Sequence, residues 1–180
     1  LNLLDLSAHI ESHLFMAHVR ATSLATIQET NCHPFRYRKW LFMHNGQIAN
    51  FGLLRQSLLA KIAPKYFENI LGTTDSELMF HLALTFGLEN DVPSAVAEMV
   101  QVVEAAGKEI GLIHSLWMTL CISDGDSLWG FRYGSDGNGP TLYISPEITE
   151  LKSLNPELEG KIGDFATCIV SEPIGNYQDI

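Results

Sequence analysis

NCHPFRYRKWLFMHNGQ, running from Asn31 to Gln47, joins a polar loop, a short apolar strand and an Asn-Gly pair in one continuous piece. Trp40, Leu41, Phe42 and Met43 form an apolar run that is too short for a helix and long enough for a buried strand. His44, Asn45 and Gly46 interrupt it, and the Asn-Gly pair predicts a turn at the end of the strand. Polar groups at the end of a buried strand must have their hydrogen bonds met. Such ends are also where side chains and backbone amides can be aimed at a ligand, so chemistry is expected here.

Upstream, FMAHVR (Phe15 to Arg20) predicts a first strand, with His18 and Arg20 on one face and Phe15, Ala17 and Val19 on the other. Leu3, Leu4, Leu6, Ile10 and Leu14 recur at near-helical spacing and predict an amphipathic helix over the first dozen residues. Residues 21–39 are expected to form an extended loop. Downstream, Phe51, Leu54, Leu58, Leu59 and Ile62 mark a helix that stops near Pro64. A second helix opens at Thr74-Asp75-Ser76-Glu77, where Thr74 and Glu77 have capping-box spacing, and ends at Gly87. Asp75 then sits in the first turn, near the partly positive end of that helix. Asp91-Val92-Pro93 opens a third, which runs to about Ile110. LWMTLCIS (Leu116 to Ser123), a turn at Asp124-Gly125-Asp126 and Leu128 to Tyr133 predict a hairpin, and Thr141 to Ile144 and Phe165 to Ser171 predict two more strands. Strands, a block of helices and strands again indicate α+β layering in preference to strict α/β alternation.

With 180 residues, 46% of them hydrophobic, the chain can bury a sizeable core as one domain. Its 21 acidic and 11 basic residues leave a formal net charge of −10, which repels a polyanion and excludes nucleic acid as the main partner. No apolar run approaches the roughly 20 residues needed to cross a bilayer, so no membrane association is expected. Cys32, Cys121 and Cys168 are scattered, which suits a reducing, cytoplasmic setting better than a disulfide framework.

Five histidines between His9 and His44 raise the possibility of a metal site, and His9 and His13 would share a helix face, but no third ligand matches them. Cys32-His33 invites a thiol-imidazole reading. In an extended loop, however, neighbouring side chains diverge, and a structural role fits the pair better. Arg36, Arg38 and Lys39 with Tyr37 and Trp40 form a basic-aromatic patch, which against the net charge of −10 is expected to be a solvated loop. A sharper set remains. Arg20 suits a carboxylate, Asp75 suits an ammonium, and the Asn45 amide with the Gly46 N–H suits a developing oxyanion. Together they describe a zwitterionic amino acid held at both ends. Singly, each also fits a surface ion pair, a helix N-terminal charge or a hairpin turn.

HVRATS (His18 to Ser23), NCHPF (Asn31 to Phe35), WLFMHNGQI (Trp40 to Ile48) and GTTDSE (Gly72 to Glu77) resemble, in order, the motifs of class II glutamine amidotransferases, especially the small stand-alone proteins of that family, including those acting on γ-glutamyl compounds. The resemblance is strongest over residues 14–87, and SEP at Ser171 to Pro173 fits the later part of that group. It implies an N-terminal nucleophile hydrolase fold, an αββα sandwich of two antiparallel sheets between helical layers. It also implies that Arg20 binds the substrate α-carboxylate, that Asp75 binds the α-ammonium, and that Asn45 and Gly46 form the oxyanion hole. Ser23, with Thr22 beside it, would supply a hydroxyl that helps hold the substrate, while Leu24 stands where the family usually has a small residue.

The family's nucleophile is an N-terminal cysteine, and Leu1 cannot serve; none of Cys32, Cys121 and Cys168 occupies that place. The expectation is a single domain over residues 1–180 that lacks its N-terminal strands and C-terminal end. The implied reaction is hydrolysis of the side-chain amide of glutamine or a γ-glutamyl compound through a cysteine thioester, with no cofactor and no metal, and with a synthetase as a possible partner protein. The alternatives are a non-catalytic amino-acid-binding module of the same fold and a metal hydrolase built on the histidines.

Overall fold

The computed structural model describes residues 9–19, 28–145, 148–154, 156, 160, 163–172 and 178–179. Its centre is a four-stranded antiparallel sheet in the order β1-β2-β3-β4: β1 is Phe35–Tyr37, β2 Trp40–Ile48, β3 Leu116–Ser123 and β4 Leu128–Gly134. Between β2 and β3 the chain makes four helices, α1 (Phe51–Leu59), α2 (Pro64–Phe67), α3 (Asp75–Thr85) and α4 (Val92–Glu109). After β4 come β5 (Tyr143–Ile144), α5 (Ile148–Leu154), β6 (Ile169–Val170) and β7 (Gln178–Asp179), and these three strands form a second antiparallel sheet in the order β6-β5-β7.

Strand alternation divides the first sheet into two faces. Trp40, Phe42, His44 and Ile48 of β2 lie on the face shared with Leu116, Met118, Leu120 and Ile122 of β3, because the register pairs Phe42 with Ile122, His44 with Leu120 and Ile48 with Leu116. This face packs against Leu54 and Leu58 of α1, Leu78, Met79, Phe80 and Leu82 of α3, and Met99 and Val103 of α4. The rings of Phe42 and Phe80 stack at 5.2 Å. The opposite face receives the second sheet. Gly130 makes room for it, since a Cβ there would lie 3.3 Å from Leu142 and 3.6 Å from Ile169.

The two longer helices end as their sequences predict, whereas α1 stops at Leu59, short of Ile62, and Pro64 opens α2 at its first turn, where proline is tolerated, instead of closing α1. Thr74 Oγ1 accepts the Glu77 N–H at 3.1 Å and caps α3. At its other end Gly87 takes φ +92° and Leu88 N–H reaches Ala83 O at 3.0 Å, the closure of a Schellman turn. Asp91 caps α4 by accepting the Ser94 N–H at 3.1 Å. The expected layering of antiparallel sheets and helices is therefore present.

Several local expectations change. Residues 15–19 form no strand, and Phe15 and Val19 are exposed; alternating side chains do not by themselves supply a ladder partner. The N-terminal helix falls largely outside the described residues, and residues 9–14 are not helical. The loop over residues 21–39 instead holds a 3-10 turn at Glu29–Asn31 and strand β1, which turns back onto β2 through Arg38 at φ +54°. Asn45-Gly46 is not a turn: β2 continues through it, pairing Asn45 with Thr119 and Gly46 with Met118. The strand expected over Phe165 to Ser171 contracts to Ile169–Val170.

Candidate functional site

β2 and the first turn of α3 meet at the centre of the candidate site. Asp75, the first residue of α3, accepts the backbone N–H of Ile48 on Oδ2 at 2.9 Å and that of Ser76 on Oδ1 at 2.8 Å. Its carboxylate is thus tied to β2 two residues beyond Gly46, at the helix end where the aligned peptide dipoles favour an anion. Asn45 and Gly46 are exposed, and Asn45 lies on the sheet face away from the helices. Gly46 adopts φ +141°, and a Cβ on it would lie 2.0 Å from Trp117 O and 2.8 Å from His44 Nε2. Only glycine fits that approach. Gly46 and Asp75 are therefore held close along β2, whereas the Asn45 side chain belongs to the opposite face of the sheet. Arg20, Thr22 and Ser23 lie outside the described residues.

Beneath these residues is a buried polar layer. His44, 3% exposed, places Nδ1 2.8 Å from Ser76 Oγ, and that hydroxyl lies 3.3 Å from Asp75 Oδ1. Burial pushes the His44 imidazole below its ordinary value, against the opposing pull of the Asp75 carboxylate. Glu77, also buried, accepts the N–H groups of Leu71 and Gly72, each at 2.8 Å. Asn31, buried at the end of the 3-10 turn, accepts the Thr73 N–H on Oδ1 at 2.9 Å and donates from Nδ2 to Thr73 Oγ1 at 3.3 Å. Gly72 is held where a Cβ would be 2.5 Å from Asn31 Oδ1 and 2.6 Å from Thr30 O. Two of the motifs, NCHPF and GTTDSE, are thus one clasp that fixes the start of α3.

Sequence reasoning missed His44, Ser76, Glu77 and Asn31 as members of the site's support. For His44 a signal existed: β2 alternation puts it on the same face as Phe42, hence inside. Of the Cys32-His33 pair, only the histidine is packed into the structure. Cys32 is exposed, with Sγ 3.7 Å from Gln28 O, and the His33 ring packs against His18 at 4.2 Å and Phe35 at 4.6 Å. Among the described residues no three His, Cys, Asp or Glu side chains converge as a metal site. Cys121 lies on the same sheet face as Asn45, but burial pushes its thiol up to about 11, which keeps it protonated and unreactive.

The basic-aromatic patch is paired at the surface. Arg38 reaches Glu89 at 3.4 Å, and Lys39 reaches Asp124 at 3.0 Å while lying 5.5 Å from the Trp40 ring centroid. A cleft of about 400 Å³ between this hairpin and the α3–α4 connection is lined by Lys39, Trp40, Glu89, Asp91, Asp124 and Trp129. It lies at the start of β2, at the opposite end from Gly46, and touches none of the site residues. No helix among the described residues is long and apolar enough to cross a membrane.

Residues 3–142 match the family model of class-II glutamine amidotransferases. A probable glutamine amidotransferase, DUG3, of Saccharomyces cerevisiae is 47% identical over 83 residues, which are 46% of this chain and 23% of that protein. Among solved structures, a glutamine aminotransferase class-II domain protein from Silicibacter pomeroyi superimposes with a TM-score of 0.62 at 38% identity, covering 65% of this chain and 55% of that one. The chain thus spans only part of the length of the relatives it matches.

Proposed function

Because the chain belongs to the class II glutamine amidotransferases, we propose that it carries the amino-acid site of an amidohydrolase acting on the side-chain amide of glutamine or of a γ-glutamyl compound. The observation that supports this reading is the hydrogen bond from Ile48 N–H to Asp75 Oδ2 at 2.9 Å, which ties the carboxylate to β2 two residues beyond Gly46. Asp75 takes the substrate ammonium, Arg20 takes its α-carboxylate, and Ser23 with Thr22 supports the same end. The Asn45 side-chain amide and the Gly46 N–H then donate to the amide oxygen as it gains charge. In the reaction that the resemblance implies, the thiolate of an N-terminal cysteine forms a bond to the amide carbon. The C–N bond breaks, ammonia leaves with a proton, and water hydrolyses the thioester to glutamate and free thiol. The ammonia is passed to a synthetase partner or released.

Two measurements on the full-length protein test this reading. Arg20→Ala and Asp75→Asn should each weaken glutamine binding by about 2–5 kcal/mol when the contact is desolvated, read by calorimetry; unchanged affinity in both would sink the assignment. Asn45→Ala should lower kcat for ammonia release by on the order of 10²–10³ while leaving glutamine affinity near its starting value. A panel of γ-glutamyl substrates assayed for glutamate and ammonia identifies the preferred one. The second reading is a non-catalytic amino-acid-binding module of the same fold. Glutamine binding without ammonia release from full-length protein would favour it.

A further inference from the structure

We infer that His44 and Ser76 are positioning residues that fix the Asp75 carboxylate relative to the Asn45-Gly46 donors. The inference rests on the reading of Asp75 as the ammonium-binding group. A serine hydroxyl has one proton, and Ser76 Oγ lies 2.8 Å from His44 Nδ1 and 3.3 Å from Asp75 Oδ1. Both contacts are made at once when Nδ1–H donates to Oγ and Oγ–H donates to the carboxylate. Asp75 then receives three donors from two elements: Ile48 N–H on Oδ2, and Ser76 N–H and Oγ–H on Oδ1. A carboxylate offers about four acceptor positions, so one remains for an ammonium.

The other edge of the imidazole faces the second half of the site. His44 Nε2 lies 2.8 Å from the point a Gly46 Cβ would occupy. One planar, buried ring therefore spans the gap between the oxyanion-donor glycine and the helix turn that carries Asp75. It sets their separation, and a misplacement of about 1 Å at such a site costs on the order of a hundredfold in rate. Burial also keeps the ring uncharged, so it offers Asp75 a hydrogen-bond relay without competing with a substrate cation.

The test is calorimetry on the full-length protein with two ligands, L-glutamine and glutaramate, the same molecule without its α-amino group; ligand-observed NMR covers pairs too weak for heat. Ser76→Ala should weaken glutamine roughly ten- to hundredfold, the range for a lost hydrogen bond to a charged group, and leave glutaramate affinity near that of the unsubstituted protein. Ser76→Thr, which keeps the hydroxyl, should restore glutamine binding. His44→Asn, which keeps a donor near the Nδ1 position, should bind glutamine better than His44→Phe. Added to Asp75→Asn, Ser76→Ala should cause no further loss. Equal losses for both ligands, or a full loss that persists in the Asp75→Asn background, would mean a general structural role and overturn the inference. If Asp75→Asn weakens glutamine but Ser76→Ala does not, the positioning role alone falls. If Asp75→Asn has no effect, the substrate-site reading fails, and the inference goes with it.

Discussion

At the scale of single residues, Gly46 is the most constrained position in the site. With φ +141° and a Cβ that would lie 2.0 Å from Trp117 O, any other residue must displace backbone. Gly46→Ala should lower stability by at least about 2 kcal/mol, measured by urea unfolding. The motif in the sequence already pointed to this glycine as a backbone donor. That it lies inside a strand was not legible, because Asn-Gly has the same local preferences in a hairpin turn and only the pairing with Thr119 and Met118 settles the choice. The thiols separate just as sharply. Cys121, pushed up to about 11 by burial, is roughly one part in a thousand thiolate at pH 8 and should resist a disulfide reagent until the protein unfolds, whereas exposed Cys32 should react in the native state.

Among the elements, α3 is the one on which the site depends, and its first turn is held from outside the helix. Thr74 caps it as the capping-box spacing predicts, but Glu77 does not reach back to the cap residue. Its two oxygens instead take the N–H groups of Leu71 and Gly72. Glu77→Ala would leave two backbone donors without partners in a buried place, at a cost of about 2–4 kcal/mol in thermal or urea unfolding, more than the loss of an ordinary cap. The start and end of α3 were legible because caps act over three or four residues. The clasp was not, because Asn31 and Thr73 are 42 positions apart and nothing local in either segment specifies the other.

For the whole molecule, the helical layer covers one face of the first sheet so completely that two histidines are enclosed, His44 on β2 and His81 on α3. Burial lowers both below their ordinary value of 6.5. Above that pH both rings are neutral in the folded and the unfolded chain, and they contribute no pH dependence. Below it the unfolded chain takes up protons that the folded chain refuses, so stability falls as pH falls through 6.5 towards the lowered folded values. Urea midpoints measured from pH 8 to pH 5 should be flat and then decline, and His81→Gln should reduce the slope. Asp124, drawn down to about 2 mainly by the Ser127 N–H, loses its contribution in a separate window, below its ordinary 3.8. Features that depend on near neighbours could be read from consecutive residues: β2 and β3 as strands, α1 as a helix, α3 and α4 with their N-terminal caps, the β3–β4 hairpin, and the ordered motifs that mark the family. Long-range packing was needed to establish that β2 runs on through Asn45-Gly46, that residues 15–19 form no strand, and that Asp75, Ser76, His44 and Gly46 lie against one another. The reason is physical: local preferences are encoded in consecutive residues, whereas ladder pairing, burial and a shared hydrogen-bond acceptor arise only when distant segments are packed against each other.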